Sequence, residues 1–239
     1  MANNEKDIIP FDFTKGEVLL FNKPYGWTSF NVVNKIRYAV KHFTGIKRIK
    51  VGHAGTLDPL ATGLLIICTG KFTKRIEEFQ AHEKEYTGTF VLGATTPSFD
   101  LETEVDSKYQ TNHITKELLI KTTKQFIGSI EQIPPIFSAI KIDGKRAYNY
   151  ARKNEKIIIK PKIISISTFE ITNISLPEIS FRIVCSKGTY IRSLVRDYGN
   201  ALNSGAYLSS LKRIRIGNFD LSDALEPEKF SEMLNKIKK

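Results

Sequence analysis

The chain has 239 residues, 41% of them hydrophobic and 26% charged, a composition that supports a sizeable packed core and argues against a fibrous or disordered protein. Its 36 Lys and Arg against 25 Asp and Glu leave a formal net charge of +11, which favours a polyanionic partner, with nucleic acid first. Cys68 and Cys185 share no short spacing, which excludes a disulfide framework and a cysteine zinc site, and no apolar run approaches the ~20 residues that span a bilayer. The start Met1-Ala2-Asn3-Asn4-Glu5-Lys6-Asp7 lacks the basic-then-apolar order of a signal peptide, so a soluble cytoplasmic protein is expected.

After a polar segment, 1–15, the stretch from Gly16 to Phe21 reads as a buried strand, stopped by the turn Asn22-Lys23-Pro24-Tyr25-Gly26. Thr28 or Ser29 can cap the helix that follows, in which Phe30, Val33, Ile36, Val40 and Phe43 recur at spacings of three and four and form one apolar face. The basic run Lys47-Arg48-Ile49-Lys50 then leads into Gly52-His53-Ala54-Gly55-Thr56-Leu57-Asp58-Pro59-Leu60-Ala61-Thr62-Gly63, a Gly/Pro/Thr-rich loop directly before the apolar run Leu64 to Cys68. Asp before Pro and Thr beside Gly are common turn formers, so the loop alone favours a structural turn over a nucleophilic carboxylate. Its glycines supply unusual backbone angles and close approach, which a loop receiving a bulky ligand needs.

Leu64 to Cys68 is expected as a central strand, Lys71 to Gln80 as a short helix, and Glu85 to Leu92 as an alternating strand with Tyr86 at its start. Thr115 to Phe126 reads as helical, Ser129 to Asp143 as an irregular segment built on Gln132-Ile133-Pro134-Pro135, and Lys145 to Arg152 as a short helix. The β-branched runs Ile157 to Ile159, Ile163 to Phe169 and Ile179 to Val184 predict antiparallel strands with short connections. A helix from Gly188-Thr189 through Arg196, a closing strand from Leu208 to Phe219 and a polar tail complete the chain. Strands and helices in mixed order, without regular βαβ alternation, predict an α+β fold.

Four histidines, His42, His53, His82 and His113, have no metal-ligand spacing with each other or with the cysteines, so no metal is expected. Gly70-Lys71 lacks the upstream glycine and the hydroxyl residue of a P-loop. Neither a G-x-G-x-x-G turn nor a G-x-S-x-G elbow is present, which moves nucleotide-dependent and serine-hydrolase chemistry down the order.

Five segments, taken in order, carry a resemblance. Phe21-Asn22-Lys23-Pro24, the run from Gly52 to Gly63, Lys84-Glu85-Tyr86, Gln132-Ile133-Pro134-Pro135 and Cys185-Ser186-Lys187-Gly188-Thr189-Tyr190-Ile191-Arg192 together resemble the TruB-type tRNA pseudouridine synthases, from about Gly16 to Gly217. The resemblance implies a pseudouridine synthase fold, a mostly antiparallel central sheet flanked by helices and loops, in a catalytic domain over 16–218. It implies an RNA-clamping insertion at 133–152, leaves 219–239 as a short tail, and predicts that the C-terminal PUA domain of many relatives is missing.

By the same resemblance, Asp58 is the catalytic nucleophile, acting on a uridine flipped out of the tRNA T loop and converted to pseudouridine at position 55, with no cofactor or metal. A carboxylate suits this role because a covalent intermediate splits one difficult step into two easier ones. Tyr86 is implied as the aromatic that stacks on the flipped base, and Arg192 as the cation that holds Asp58 ionised and oriented. Lys23 and Leu211 fall at pocket-lining positions and His53 at one that contacts the target loop. Lys141, Lys145, Arg146 and Arg152 suit phosphate contacts. A monomer working on the T arm is expected. Departures from the family pattern are Phe137, Lys212 and Thr103. Two rivals are an RNA-binding or tRNA-folding protein that needs no catalysis and a glycosidase-like hydrolase, the latter weak because no motif places a second acid.

Overall fold

The computed structural model describes residues 11–138, 141–142, 145–146, 150, 157 and 159–238; at 141–142 and 145–146 only the backbone is considered. In chain order the strands are β1 (Val18–Lys23), β2 (Val51–His53), β3 (Ala61–Thr69), β4 (Lys84–Leu92), β5 (Ala94–Thr95), β6 (Ser107–Lys108), β7 (Gly128–Gln132), β8 (Lys141–Ile142), β9 (Lys145–Arg146), β10 (Lys162–Ser175), β11 (Glu178–Cys185), β12 (Ala206–Ile216) and β13 (Phe219–Asp220). The α-helices are α1 (Ser29–Thr44), α2 (Ile76–Ala81), α3 (Lys116–Thr123), α4 (Ile191–Ala201) and α5 (Pro227–Lys238). The class is α+β. Two units result: the residues up to His82 with those from Lys212 on, and Glu83–Leu211, with β12 passing from the second to the first.

In the first unit β3 pairs antiparallel with β1, Val18 opposite Cys68 and Lys23 opposite Gly63, and β2 also pairs with β3. Leu65 and Ile67 of β3 enter a core with Phe13, Phe21, Val33, Ile36 and Phe230, whereas Leu64, Ile66 and Cys68 enter another with Ala54, Phe79 and Ile216. A strand buried on both faces needs apolar residues throughout, which is why this one reads as a continuous hydrophobic run. Thr28 caps α1 by accepting from the Asn31 amide, and Gly45 ends it in the left-handed conformation at φ 72°. The buried face of α1 is Val32, Val33, Ile36, Ala39 and Val40; Phe30, assigned to that face from its spacing, is 58% exposed.

The second unit holds the antiparallel order β4-β11-β10-β7, with Tyr86 opposite Ile183 and Lys162 opposite Gln132. Phe90, Phe169, Phe181 and Tyr198 cluster over it at ring separations of 5.0 to 5.8 Å. The Tyr198 hydroxyl donates to the Leu119 carbonyl at 2.7 Å, which ties α4 to α3 and satisfies the one polar atom of that ring.

Several expected elements shift. The segment expected to be irregular from Ser129 begins as β7, a strand stabilised by pairing with β10 although its own residues are mostly exposed. Strand β10 starts only after Pro161, so Ile157 and Ile159 lie outside it; Ile158 is outside the described residues. The helix expected over Lys71 to Gln80 is a 3₁₀ turn, Gly70–Arg75, followed by α2. Of the helix expected from Lys145 to Arg152, Lys145–Arg146 form β9 paired with β8, Tyr150 is helical, and the remaining positions lie outside the described residues. Helix α4 starts at Ile191, after Gly188 and Thr189, and runs on to Ala201. The presumed tail contains α5, whose Phe230 and Leu234 are buried against the first core.

Candidate active site

Asp58 lies in the loop between β2 and β3, half-buried, with both chain neighbours fixed by polar contacts. On one side the buried Ser29 hydroxyl donates to the Leu57 carbonyl at 3.2 Å and accepts from the Leu57 amide at 2.8 Å. On the other, the Pro59 carbonyl accepts from the Gly26 amide at 2.9 Å and from Lys23 Nζ at 3.4 Å. The Asp58 carbonyl accepts from the Ala61 amide at 3.1 Å, closing the turn that leads into β3. Two preceding elements, the end of β1 and the start of α1, therefore hold this turn. Preorganisation of this kind is what a reacting carboxylate requires.

Lys23 is fully buried and also donates to the carbonyls of Pro24, at 3.1 Å, and Trp27. Burial lowers its pKa from 10.5 to about 8; Asp58 pulls the other way by favouring the ammonium, and Arg213 adds to the lowering. His53, at the end of β2, is half-buried, and burial followed by the Arg213 charge holds its imidazole below the usual histidine range, against an opposing pull from the Gly55 backbone.

Arg213 was missed in the sequence. It is 1% exposed on β12, and its Nε donates to the Leu64 carbonyl at 2.8 Å while a terminal nitrogen donates to the Gly55 carbonyl at 3.1 Å. One guanidinium thus braces the loop at both ends. The available signal was a charge two residues beyond Leu211, in step with it on a strand where alternate residues share a face. The neighbouring Lys212, which drew notice as a departure, is exposed.

In the second unit Tyr86 is buried, the third residue of β4, and Leu211 is half-buried on β12. Arg192 is 3% exposed in the first turn of α4, and among its partners are the Asp100 carboxylate, 3.5 Å from Nε, the Ser98 carbonyl at 3.2 Å and the Phe137 carbonyl at 2.9 Å. Asp100 is equally buried and accepts from the Glu102 amide at 3.0 Å, so this is an internal ion pair with backbone support, not a surface contact. Thr103 uses its hydroxyl, which accepts from the Ser98 amide at 3.0 Å, to hold the loop that presents this pair.

The Pro-Pro segment is fastened to α4. Gln132 donates from Nε2 to the Tyr190 carbonyl at 3.1 Å and accepts at Oε1 from the Tyr190 amide at 2.8 Å, while Ser193 and Arg196 donate to the Ile133 carbonyl at 2.9 and 3.2 Å. Lys141, Lys145 and Arg146 belong to β8 and β9, of whose side chains nothing is described; Arg152 lies outside the described residues. Among the described residues no cluster of three or more His, Cys, Asp or Glu could hold a metal ion, and no helix is long and apolar enough to cross a membrane.

This architecture is that of the pseudouridine synthases. The Cbf5 chain in the crystal structure of a Cbf5-Nop10-Gar1 complex superimposes with a TM-score of 0.69 at 27% identity, over 92% of this chain and 54% of that one, so the chain spans about half of its length. Residues 41–191 match the family described as TruB family pseudouridylate synthase (N terminal domain). A Phocaeicola vulgatus protein named tRNA pseudouridine synthase B is 61% identical over 225 residues, 94% of this chain and 96% of that protein. A Flavobacterium johnsoniae protein of the same name is 57% identical, over 94% of this chain and 99% of that one. The chain belongs to the TruB family of pseudouridine synthases, and is an enzyme of the isomerase class.

Proposed function

We propose that this enzyme isomerises uridine to pseudouridine in tRNA, at position 55 of the T loop, with Asp58 as the nucleophile. The carrying observation is the fixing of both neighbours of Asp58, Leu57 through Ser29 and Pro59 through Lys23 and Gly26, which leaves a half-buried carboxylate on a braced turn. The names of its relatives support tRNA as the substrate. In the proposed reaction the uridine is extruded from the stack, Asp58 forms a covalent bond to it that is broken again before product leaves, the N1–C1′ bond breaks, the uracil turns and C5 joins C1′, and the proton lost from C5 is matched by one gained at N1. The atoms of substrate and product balance without a cofactor or metal.

In the same proposal Tyr86 stacks on the extruded uracil and Arg192 orients Asp58. Lys23 and Leu211 line the pocket, and His53 touches the target loop. Residues 133–152 clamp the RNA through Lys141, Lys145, Arg146 and Arg152. Unstacking costs a few kcal/mol, which phosphate contacts of this sort offset. A cytoplasmic monomer acting on the T arm completes the proposal.

The test is release of tritium from tRNA carrying 5-tritiated uridine. Wild type releases it, and Asp58→Asn does not while still binding RNA. Equal turnover by the two proteins removes Asp58 from the nucleophile role. Absence of release by either, with binding intact, replaces catalysis by an RNA-binding role.

A further inference from the structure

Between Val18 and Leu57 the sequence holds seven Lys and Arg and no Asp or Glu, a local charge of +7 within a chain whose whole net charge is +11. Lys23 is the buried member of this set; the others, on α1 and in the loop after it, are half-buried or exposed. The same stretch exposes three aromatic rings, Tyr25 at 63%, Phe30 at 58% and Tyr38 at 72%. Phe30 and Tyr38 stand eight residues apart on α1, on the face opposite the buried Val33, Ile36 and Val40. The Arg37 guanidinium lies 5.8 Å from the Phe30 ring centroid, and the Tyr38 ring lies parallel to His42 at 6.3 Å. None of these rings serves the core.

Exposed rings interleaved with cations, in a stretch of sequence free of acids, match the chemistry of an RNA strand, whose bases stack on aromatics and whose phosphates pair with Lys and Arg. The strip also starts at the proposed reacting group. Tyr25 precedes Gly26, whose amide donates to the carbonyl of Pro59, next to Asp58. From there α1 carries it over 16 residues, about 24 Å, a length suited to several nucleotides rather than one.

We propose that Tyr25 and the exposed face of α1 form an RNA-docking surface. It holds nucleotides flanking the modified uridine by stacking on Phe30 and Tyr38 and by phosphate contacts from Arg37, Lys41 and Lys50. This rests on RNA being the substrate, as proposed above, and adds to the catalytic residues and the 133–152 segment a surface that neither includes.

The experiment measures tRNA binding as a function of salt with the full chain carrying Asp58→Asn, so that affinity is read apart from turnover. Two further pairs are introduced separately, Phe30→Ser with Tyr38→Ser, and Lys41→Gln with Lys50→Gln. Each pair is expected to weaken binding about ten-fold or more. The lysine pair is also expected to reduce the slope of log affinity against log salt by about 1.4, and the aromatic pair to leave it unchanged. Phe30→Tyr with Tyr38→Phe keeps both rings and should bind like the parent, separating stacking from a fold defect. Binding within two-fold of the parent for both pairs, with unaltered melting, overturns the proposal. Weakened binding by these pairs in a protein whose wild type releases no tritium sinks the position-55 proposal and leaves this surface standing.

Discussion

Gly63 lies so close to the backbone of Arg213 that a Cβ at Gly63 would stand 2.2 Å from the Arg213 carbonyl oxygen, and Gly63 itself has φ +102°. Two separate demands, a left-handed backbone and the absence of a side chain, meet where the loop carrying Asp58 enters β3. Gly63→Ala should therefore destabilise the fold by roughly 3 kcal/mol or more, combining backbone strain with overpacking. Urea unfolding of the two proteins measures it, and a change under 1 kcal/mol would contradict the close approach.

Arg213→Met should act on four groups at once. The carbonyls of Leu64 and Gly55 lose their donor, at a cost of about 1–3 kcal/mol for each buried group left unsatisfied. The cation that lowers Lys23 and His53 also disappears, so both should become more basic. Following the His53 ring protons by NMR through a pH titration gives the decisive comparison; an unmoved His53 midpoint would show that Arg213 does not act on it. Arg213→Lys keeps the charge but not the two-pronged donor set, and should leave His53 low while still destabilising the fold.

Lys23 gives a stability effect with a definite sign. Its folded pKa of about 8 lies below the ordinary 10.5, so between these values the unfolded chain binds the proton and the folded one does not. Stability from this group alone therefore rises as pH increases from about 8 to 10.5, and is lowest below 8, where a buried ammonium must be tolerated. Melting temperatures of wild type and Lys23→Met across that range should converge or diverge in wild type's favour as pH rises. A difference that stays flat would argue against a buried, depressed lysine.

Asp100→Asn should be among the costly substitutions in the second unit. It removes a carboxylate paired with Arg192 while leaving the guanidinium buried, and breaking one side of such a pair costs about 3–5 kcal/mol. Equilibrium unfolding is the direct measurement. Glu78→Gln serves as the contrast, since Arg75–Glu78 is an exposed pair and its loss should be barely detectable.

The interior of this fold was legible where apolar periodicity is strong. Leu64 to Cys68, a cap at Thr28 or Ser29 and the antiparallel strands β10 and β11 all follow from residue pattern. Edge positions were not, because β7 owes its existence to pairing with β10 and not to its own Gly-Ser-Ile-Glu-Gln sequence. Phe30 illustrates the limit of spacing as a guide: it falls within one helical turn of Val33, yet rotation of the helix places Val32 inside and Phe30 outside. Helix α5 is hard to see in the sequence because its polar residues outnumber its apolar ones, although Phe230, Met233 and Leu234 recur at three and four. At the site, the loop around Asp58 was visible as a motif, whereas the braces Ser29 and Arg213 come from distant parts of the chain. Asp100 likewise meets Arg192 across a large sequence separation, which no local pattern reports.

The exchange of hydrogen bonds between Gln132 and Tyr190 has the form of a miniature strand pairing in which a side-chain amide takes the place of a peptide. Ser193 and Arg196 add two fastenings at the Ile133 carbonyl, and Arg192 a third at Phe137. The root of the basic segment and the first turns of α4 thus form a single mechanical part. A tug on the chain at Ser138 is delivered directly to the helix that carries Arg192, through three carbonyls and one amide.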